Sequence, residues 1–177
     1  MSARGRRAAL IVTLSCGVPS LGACASAPSA HAQSVARRGT PVRFTYGTPQ
    51  GEVLSSETTR GRVTVLLFVT TFDLPSQLMA KRVEAVVRRH KPRANAGAIA
   101  LEAPNQAPLV DVFKTSLGLS YPVALTNSTR VDETGPFGAV DQVPVLVVLD
   151  SRGVEVARAQ GVVSEEELDQ ALSRAAR

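Results

Sequence analysis

The chain has 177 residues, a length that suits one ordinary domain and is short for two. Its formal charge is +5, but Arg4, Arg6 and Arg7 lie in an opening stretch without an acidic residue. Setting residues 1–32 aside leaves 17 Lys and Arg against 15 Asp and Glu, a net of +2, and no aromatic residues interleave with a basic stripe, so composition gives no support for a nucleic-acid partner.

Residues 1–32 read as a targeting segment. Arg4, Arg6 and Arg7 form the positive region, Ala8 to Ser15 the apolar region, and small residues follow. The apolar run is too short to span a membrane, and Pro19 and Gly22 interrupt its continuation. Two cleavage sites compete. Leu21-Gly22-Ala23-Cys24 resembles a bacterial lipobox, which ends the leader at residues 1–24 and makes Cys24 the lipid attachment site. Ala30-His31-Ala32 before Gln33 resembles an ordinary signal-peptidase site, which ends it at residues 1–32. The lipobox reading is the one carried forward, because the tract after Cys24 is small, polar and Pro-containing, as a tether should be. The two cysteines of the chain are Cys16 and Cys24, both in this opening region. The remainder has no thiol, and thiolate chemistry requires a thiolate.

Residues 25–40 have no periodicity and little bulk and read as a flexible tether, so the domain spans residues 41–177. Val42 to Tyr46 alternates as a strand, Thr48-Pro49-Gln50-Gly51 is a turn, and Glu52 to Leu54 returns as a hairpin partner. Ser55 to Gly61 reads as a polar connector. Val63 to Val69 is a nearly unbroken apolar run suited to a strand buried on both faces. From Ser76 the period becomes helical, with Met79, Val83, Val86 and Val87 on one face and Lys81, Arg82, Glu84, Arg88 and Arg89 on the other. The junction Thr70 to Ser76 thus falls between a central strand and a helix N-terminus, where α/β folds place ligands and chemistry.

Ala96 to Leu101 reads as a second buried strand. Leu109, Val110, Val112, Phe113 and Leu117 have helical spacing and stop at Gly118, and Tyr121 to Leu125 is a third strand. Thr129 to Val140 holds a short helix or turn, with Gly135-Pro136 breaking anything longer. Val143 to Leu149 follows as a strand led by Pro144. Asp150 to Gly153 is a tight turn, and Val154 to Ala159 the returning strand. Ser164 and Glu167 form a capping box for a last helix with Leu168, Ala171, Leu172 and Ala175 on its apolar face.

Several of these stretches, in this order, resemble the thioredoxin-like superfamily, in particular the TlpA-type thiol–disulfide oxidoreductases and the AhpC/TSA peroxiredoxins. "RGRVTVLLF" resembles their "KGKVVLVNF" opening, Tyr121 to Leu125 their "FPVLLD" strand, and Val143 to Asp150 their "V-P-T-x-x-L-I-D" strand. The resemblance covers residues 41–177. It implies a three-layer α/β sandwich, a central mixed sheet with helices on both faces and an N-terminal β-hairpin. It also implies a cis Pro144 facing the redox turn. That turn reads Trp-Cys-Pro-Pro-Cys in the reductases and Phe72-Asp73-Leu74-Pro75-Ser76 here. Asp73 and Ser76 stand where the two cysteines would be, and Phe72 stands where the Trp would be, beside Pro144.

The residues point to a degenerate site. Asp73 is a good helix N-cap and Ser76 a first-turn polar residue, and no histidine lies nearby in sequence to make either a base or a nucleophile. His90, amid Arg88, Arg89 and Lys91 at a helix C-terminus, stands alone and cannot form a metal site. The basic cluster from Lys81 to Arg93 reads as a solvated helix face. No metal or cofactor is implied. The first expectation is an exported, membrane-tethered, redox-inactive module in the bacterial cell envelope. Its groove at Phe72, Asp73, Val143 and Pro144 would take a peptide or an envelope protein. The alternatives are a thiol–disulfide or antioxidant enzyme of TlpA or AhpC/TSA type, and a structural envelope lipoprotein. A soluble periplasmic or secreted protein is the alternative location.

Overall fold

The computed structural model describes residues 39–126, 131 and 134–177. The leader, its two cleavage sites, Cys24 and nearly all of the tether lie outside the described residues.

The elements are β1 (Thr45–Gly47), β2 (Val53–Ser55), α1 (Ser56–Thr59), β3 (Val63–Val69), α2 (Leu74–His90), β4 (Ala94–Ala100), α3 (Ala107–Leu117), β5 (Val123–Leu125), β6 (Val145–Leu149), β7 (Glu155–Gln160) and α4 (Glu165–Ala175). They build one seven-stranded mixed sheet in the order β2-β1-β5-β4-β3-β6-β7. β3, β4 and β5 are parallel neighbours linked by α2 and α3, whereas β6 and β7 form an antiparallel hairpin against β3. This is the α/β sandwich expected from the sequence.

β3 is buried along its whole length, as its unbroken apolar run requires. Val63, Val65, Leu67 and Val69 face a core shared with Met79, Val83, Val86 and Val87 of α2, Val110 and Phe113 of α3, and Leu168 and Leu172 of α4. Each such side chain, fully buried, stabilises the fold by about 1.5–3 kcal/mol. Leu66 and Phe68 face the other way, into a second core with Phe44, Leu54, Ile99, Phe137 and Val147. Phe137 is its hub, with ring centroids 5.4 Å from Phe44 and 5.3 Å from Phe68. The short helix α1 lies on this second side. Its Thr59 carbonyl accepts from Thr64 Oγ1 and Asn95 Nδ2, whose side chains leave the sheet there.

Several boundaries differ from the sequence reading. The connector at 55–61 contains α1, nucleated by Ser55, whose hydroxyl accepts from the Glu57 and Thr58 amides. Thr58 Oγ1 in turn accepts from the Ser55 amide and completes a capping box. The first strand begins at Thr45, not Val42. Pro41 and Val42 instead lie against the start of β7, with Pro41 bridging Val154 and the Val42 amide donating to the Gly153 carbonyl at 2.8 Å. The hairpin β1–β2 joins the sheet through one residue pair, Gly47 with Leu125. Leu54 of this hairpin sits over Gly97 of β4, where an added Cβ would come within 2.6 Å of the Leu54 side chain. Gly118, at φ 63°, caps α3 in the left-handed conformation that glycine adopts without steric cost.

The basic face of α2 is not simply solvated. Arg89 pairs with Glu165 at 3.0 Å, His90 meets Asp169 at 2.9 Å, and Arg82 donates to the Val163 carbonyl at 2.5 Å. The acidic opening of α4 thereby docks along the C-terminal half of α2.

Candidate functional site

The chain leaves β3 at Val69 and enters α2 at Leu74, and the four residues between them are held by two carboxylates. Asp73 is the N-cap, with φ −95° and ψ 139°. Its Oδ1 accepts from the Ser76 amide at 2.7 Å. Its Oδ2 accepts from Thr70 Oγ1 at 2.6 Å and from Ser76 Oγ at 2.5 Å. Ser76 Oγ also accepts from the Thr70 amide at 3.3 Å. Thr70, Asp73 and Ser76 therefore form a closed ring of hydrogen bonds about the first turn of α2.

The second carboxylate was not singled out from sequence. Glu102 follows β4, is 6% exposed, and accepts from both the amide and the hydroxyl of Thr71 at 2.9 Å. The one sequence signal was a charged residue directly after the small, apolar run AGAIAL, at the carboxyl end of a parallel strand. Its partner, Thr71, is 31 positions away.

The arrangement leaves little room for acid–base or nucleophilic chemistry. The Asp73 oxygens are occupied by the cap and by two hydroxyls. Ser76 is fully buried, so its hydroxyl is out of reach of a substrate. His90 lies at the far end of the 17-residue helix α2, about 25 Å along its axis, and engages Asp169. Among the described residues, no group of three His, Cys, Asp or Glu side chains is placed to hold a metal ion.

The remaining expected residues lie around the same turn. The Val143–Pro144 peptide is cis. β6 runs antiparallel to β3, and their register ends with Phe68 opposite Val145, two residues before Thr70 and two after Val143. Pro144 is buried and its carbonyl accepts from the Gly161 amide at 2.8 Å. Val143 is half-buried against the second core, and among the described residues none pairs with its backbone N–H or C=O. Phe72 is not tucked away. It is 77% exposed and, with Leu109 and Val112 of α3, lines a hollow of about 240 Å³ floored by Phe113. Leu74 and Leu78 stand exposed one turn apart at the same end of α2. Of the six large hydrophobic side chains exposed among the described residues, five belong to this end of α2 and to α3, and the sixth is Val53.

No family model and no curated protein sequence matches this chain. Solved structures do. A thiol:disulfide interchange protein, thioredoxin family protein, from Chlorobium tepidum TLS is 21% identical with a TM-score of 0.65, covering 80% of this chain and 99% of its own. A DsbF homologue from Corynebacterium diphtheriae is 13% identical with a TM-score of 0.68, over 82% and 91% of the two chains. A secreted Mycobacterium tuberculosis disulfide oxidoreductase homologous to E. coli DsbE is 18% identical with a TM-score of 0.62, over 75% and 96%. At these identities the likeness establishes the fold, which is thioredoxin-like.

Proposed function

We propose that this thioredoxin-like fold is a redox-inactive binding module of the bacterial cell envelope, taking an extended segment of a partner protein at the N-terminal end of α2. The observation that carries the reading is the Asp73–Ser76 pair. The two positions that would hold a dithiol bind each other as cap and capped residue, and residues 39–177 contain no cysteine. Binding is favoured by what surrounds them. The backbone of Val143, unpaired among the described residues, offers an edge for main-chain hydrogen bonds, and the hollow beside Phe72 offers a seat for an apolar side chain. An exposed aromatic above a hollow is a common anchor in protein recognition.

Location and tethering belong to the same proposal. Neighbours of similar fold include a protein described as secreted. The leader and lipobox at Cys24 supply a route to the envelope and an anchor there. No helix among the described residues is long and apolar enough to cross a membrane. A thiol–disulfide activity, which the names of the structural neighbours suggest, would need a thiol that residues 39–177 do not supply.

Capture of partners from envelope extracts tests the reading, with Phe72→Ala as the paired control. A partner retained by the wild type and lost with Phe72→Ala supports it. Thiol labelling at any position other than an unlipidated Cys24, or turnover of insulin disulfides or peroxide above a no-protein blank, overturns the redox-inactive assignment.

A further inference from the structure

Away from the α2 N-terminus, the edge of the sheet holds a second concavity. α4 packs over the central strands and over β7, and a gap remains beneath the helix beside the small side chains Ala157 and Ala159 of β7. This gap is a pocket of about 240 Å³. Its walls are apolar, with Leu146 and Val148 from β6, Val163 from the loop, and Leu168 and Ala171 from α4. A pocket of this size falls below the roughly 300–1,000 Å³ of sites for drug-sized ligands. It has room for one unbranched chain.

The mouth of the pocket is charged in a defined direction. Glu167 and Arg174 both line it and lie seven residues apart on α4, about 10 Å along the helix axis. Glu167 is committed to the opening turn of α4, where Oε2 accepts from the Ser164 amide at 2.8 Å and from its hydroxyl at 3.0 Å. Arg174, at the other end, has no partner for its guanidinium among the described residues. Arg158 also borders the pocket, but its guanidinium is taken by Glu155 and the Phe137 carbonyl. The rim thus carries a positive charge at the Arg174 end, with no partner among the described residues, and the negative Glu167 carboxylate at the other end. A guanidinium presents a fork that matches a carboxylate.

We infer that this pocket binds an anionic amphiphile with a single aliphatic chain, such as a medium-chain carboxylate. Its head group pairs with Arg174 and its tail runs along α4 towards Leu168 and Val163. The site is separate from the α2 N-terminus, and its occupancy does not depend on the reading given above.

A titration of the isotope-labelled protein by NMR tests this, using decanoate below its micellar concentration, with decanol and decyltrimethylammonium as uncharged and cationic controls. Decanoate should shift the amides of Ala157, Ala159 and Ala171, and the cation should bind more weakly. Arg174 is exposed, so Arg174→Gln should fold normally, weaken decanoate by about two- to fivefold as an exposed ion pair would, and leave decanol unchanged. Arg174→Glu should reverse the preference between decanoate and the cation. Shifts that are absent at millimolar decanoate or centred elsewhere, or a decanoate affinity indifferent to both substitutions, overturn the proposal.

Discussion

Ser76 is bound twice by Asp73, its amide at 2.7 Å and its hydroxyl at 2.5 Å. A side chain at the helix N-terminus thus satisfies both a backbone donor that the helix cannot and a hydroxyl that the core has buried. Asp73→Ala removes the cap and leaves the Ser76 hydroxyl with one fewer partner. The fold should lose about 1–3 kcal/mol in urea denaturation, while Asp73→Asn, also a good cap, should lose less. Equal losses for the two would show that the cap is not what Asp73 contributes.

The same three-residue spacing bears on the missing dithiol. Residues 73 and 76 flank the first turn of α2, so their Cα atoms fall within the roughly 4.4–6.8 Å that a disulfide accepts. The double variant Asp73→Cys, Ser76→Cys should form an intramolecular disulfide under mild oxidant, seen as a loss of two mass units. A thiolate at 73 would sit at the positive end of α2, which lowers its pKa below about 8.5. Dithiol exchange should therefore become measurable. Two free thiols after oxidation would mean that the scaffold, and not only its cysteines, has left thiol chemistry behind.

Gly97 makes a packing prediction. A Cβ there meets Leu54 Cδ2 at 2.6 Å and Cδ1 at 2.7 Å. Gly97→Ala must therefore displace a side chain that is 2% exposed, at a cost of about 1–3 kcal/mol. Leu54→Ala alone opens a cavity and costs about 2–5 kcal/mol. The double variant should be distinctly more stable than the sum of the two, because the new methyl occupies the space that Leu54 vacates. Strict additivity would contradict the contact.

Glu84 sets an acid limit on stability. It is 7% exposed, and burial by itself raises its pKa. The Ser120 amide at 2.8 Å, the Ser120 hydroxyl at 3.1 Å and Arg88 at 3.0 Å outweigh burial and hold it below the ordinary value of 4.5. The unfolded chain then takes up this proton at a higher pH than the folded chain does. The stabilisation is complete above about pH 4.5 and is lost as the pH falls through the folded value. Glu84→Gln should be less stable at neutral pH, and its loss of stability on acidification should be shallower. Parallel pH profiles for the two proteins would rule out this coupling.

Phe137 tests the segment before β6. It is 2% exposed and meets Phe44 and Phe68 ring to ring. Phe137→Ala should cost about 3–5 kcal/mol, measured by thermal or denaturant melting. A loss under about 1 kcal/mol would mean that the second core does not depend on it.

What the sequence determined by itself was local. The unbroken run of β3, the helical period of α2, the caps at Asp73 and Ser164 and the stop at Gly118 each depend on residues within about four positions of one another. Periodicity and hydrogen-bonding chemistry act over that range without help from the rest of the chain. The loss of the dithiol was legible for the same reason, since it is a matter of which residues stand at 73 and 76. The short helix α1 was local too, but its Ser55–Thr58 capping box is disguised by a polar stretch with little apolar periodicity. Tertiary structure decided the rest. Glu102 meets Thr71 across 31 positions, Asp169 meets His90 across 79, and the hollow beside Phe72 exists only where α3 lies against α2. Such contacts are fixed by the crossover of parallel strands and by side-chain direction, which no window of sequence contains. The basic face of α2 shows the difference most directly. Its charges read as solvated until the fold set the acidic opening of α4 beside them.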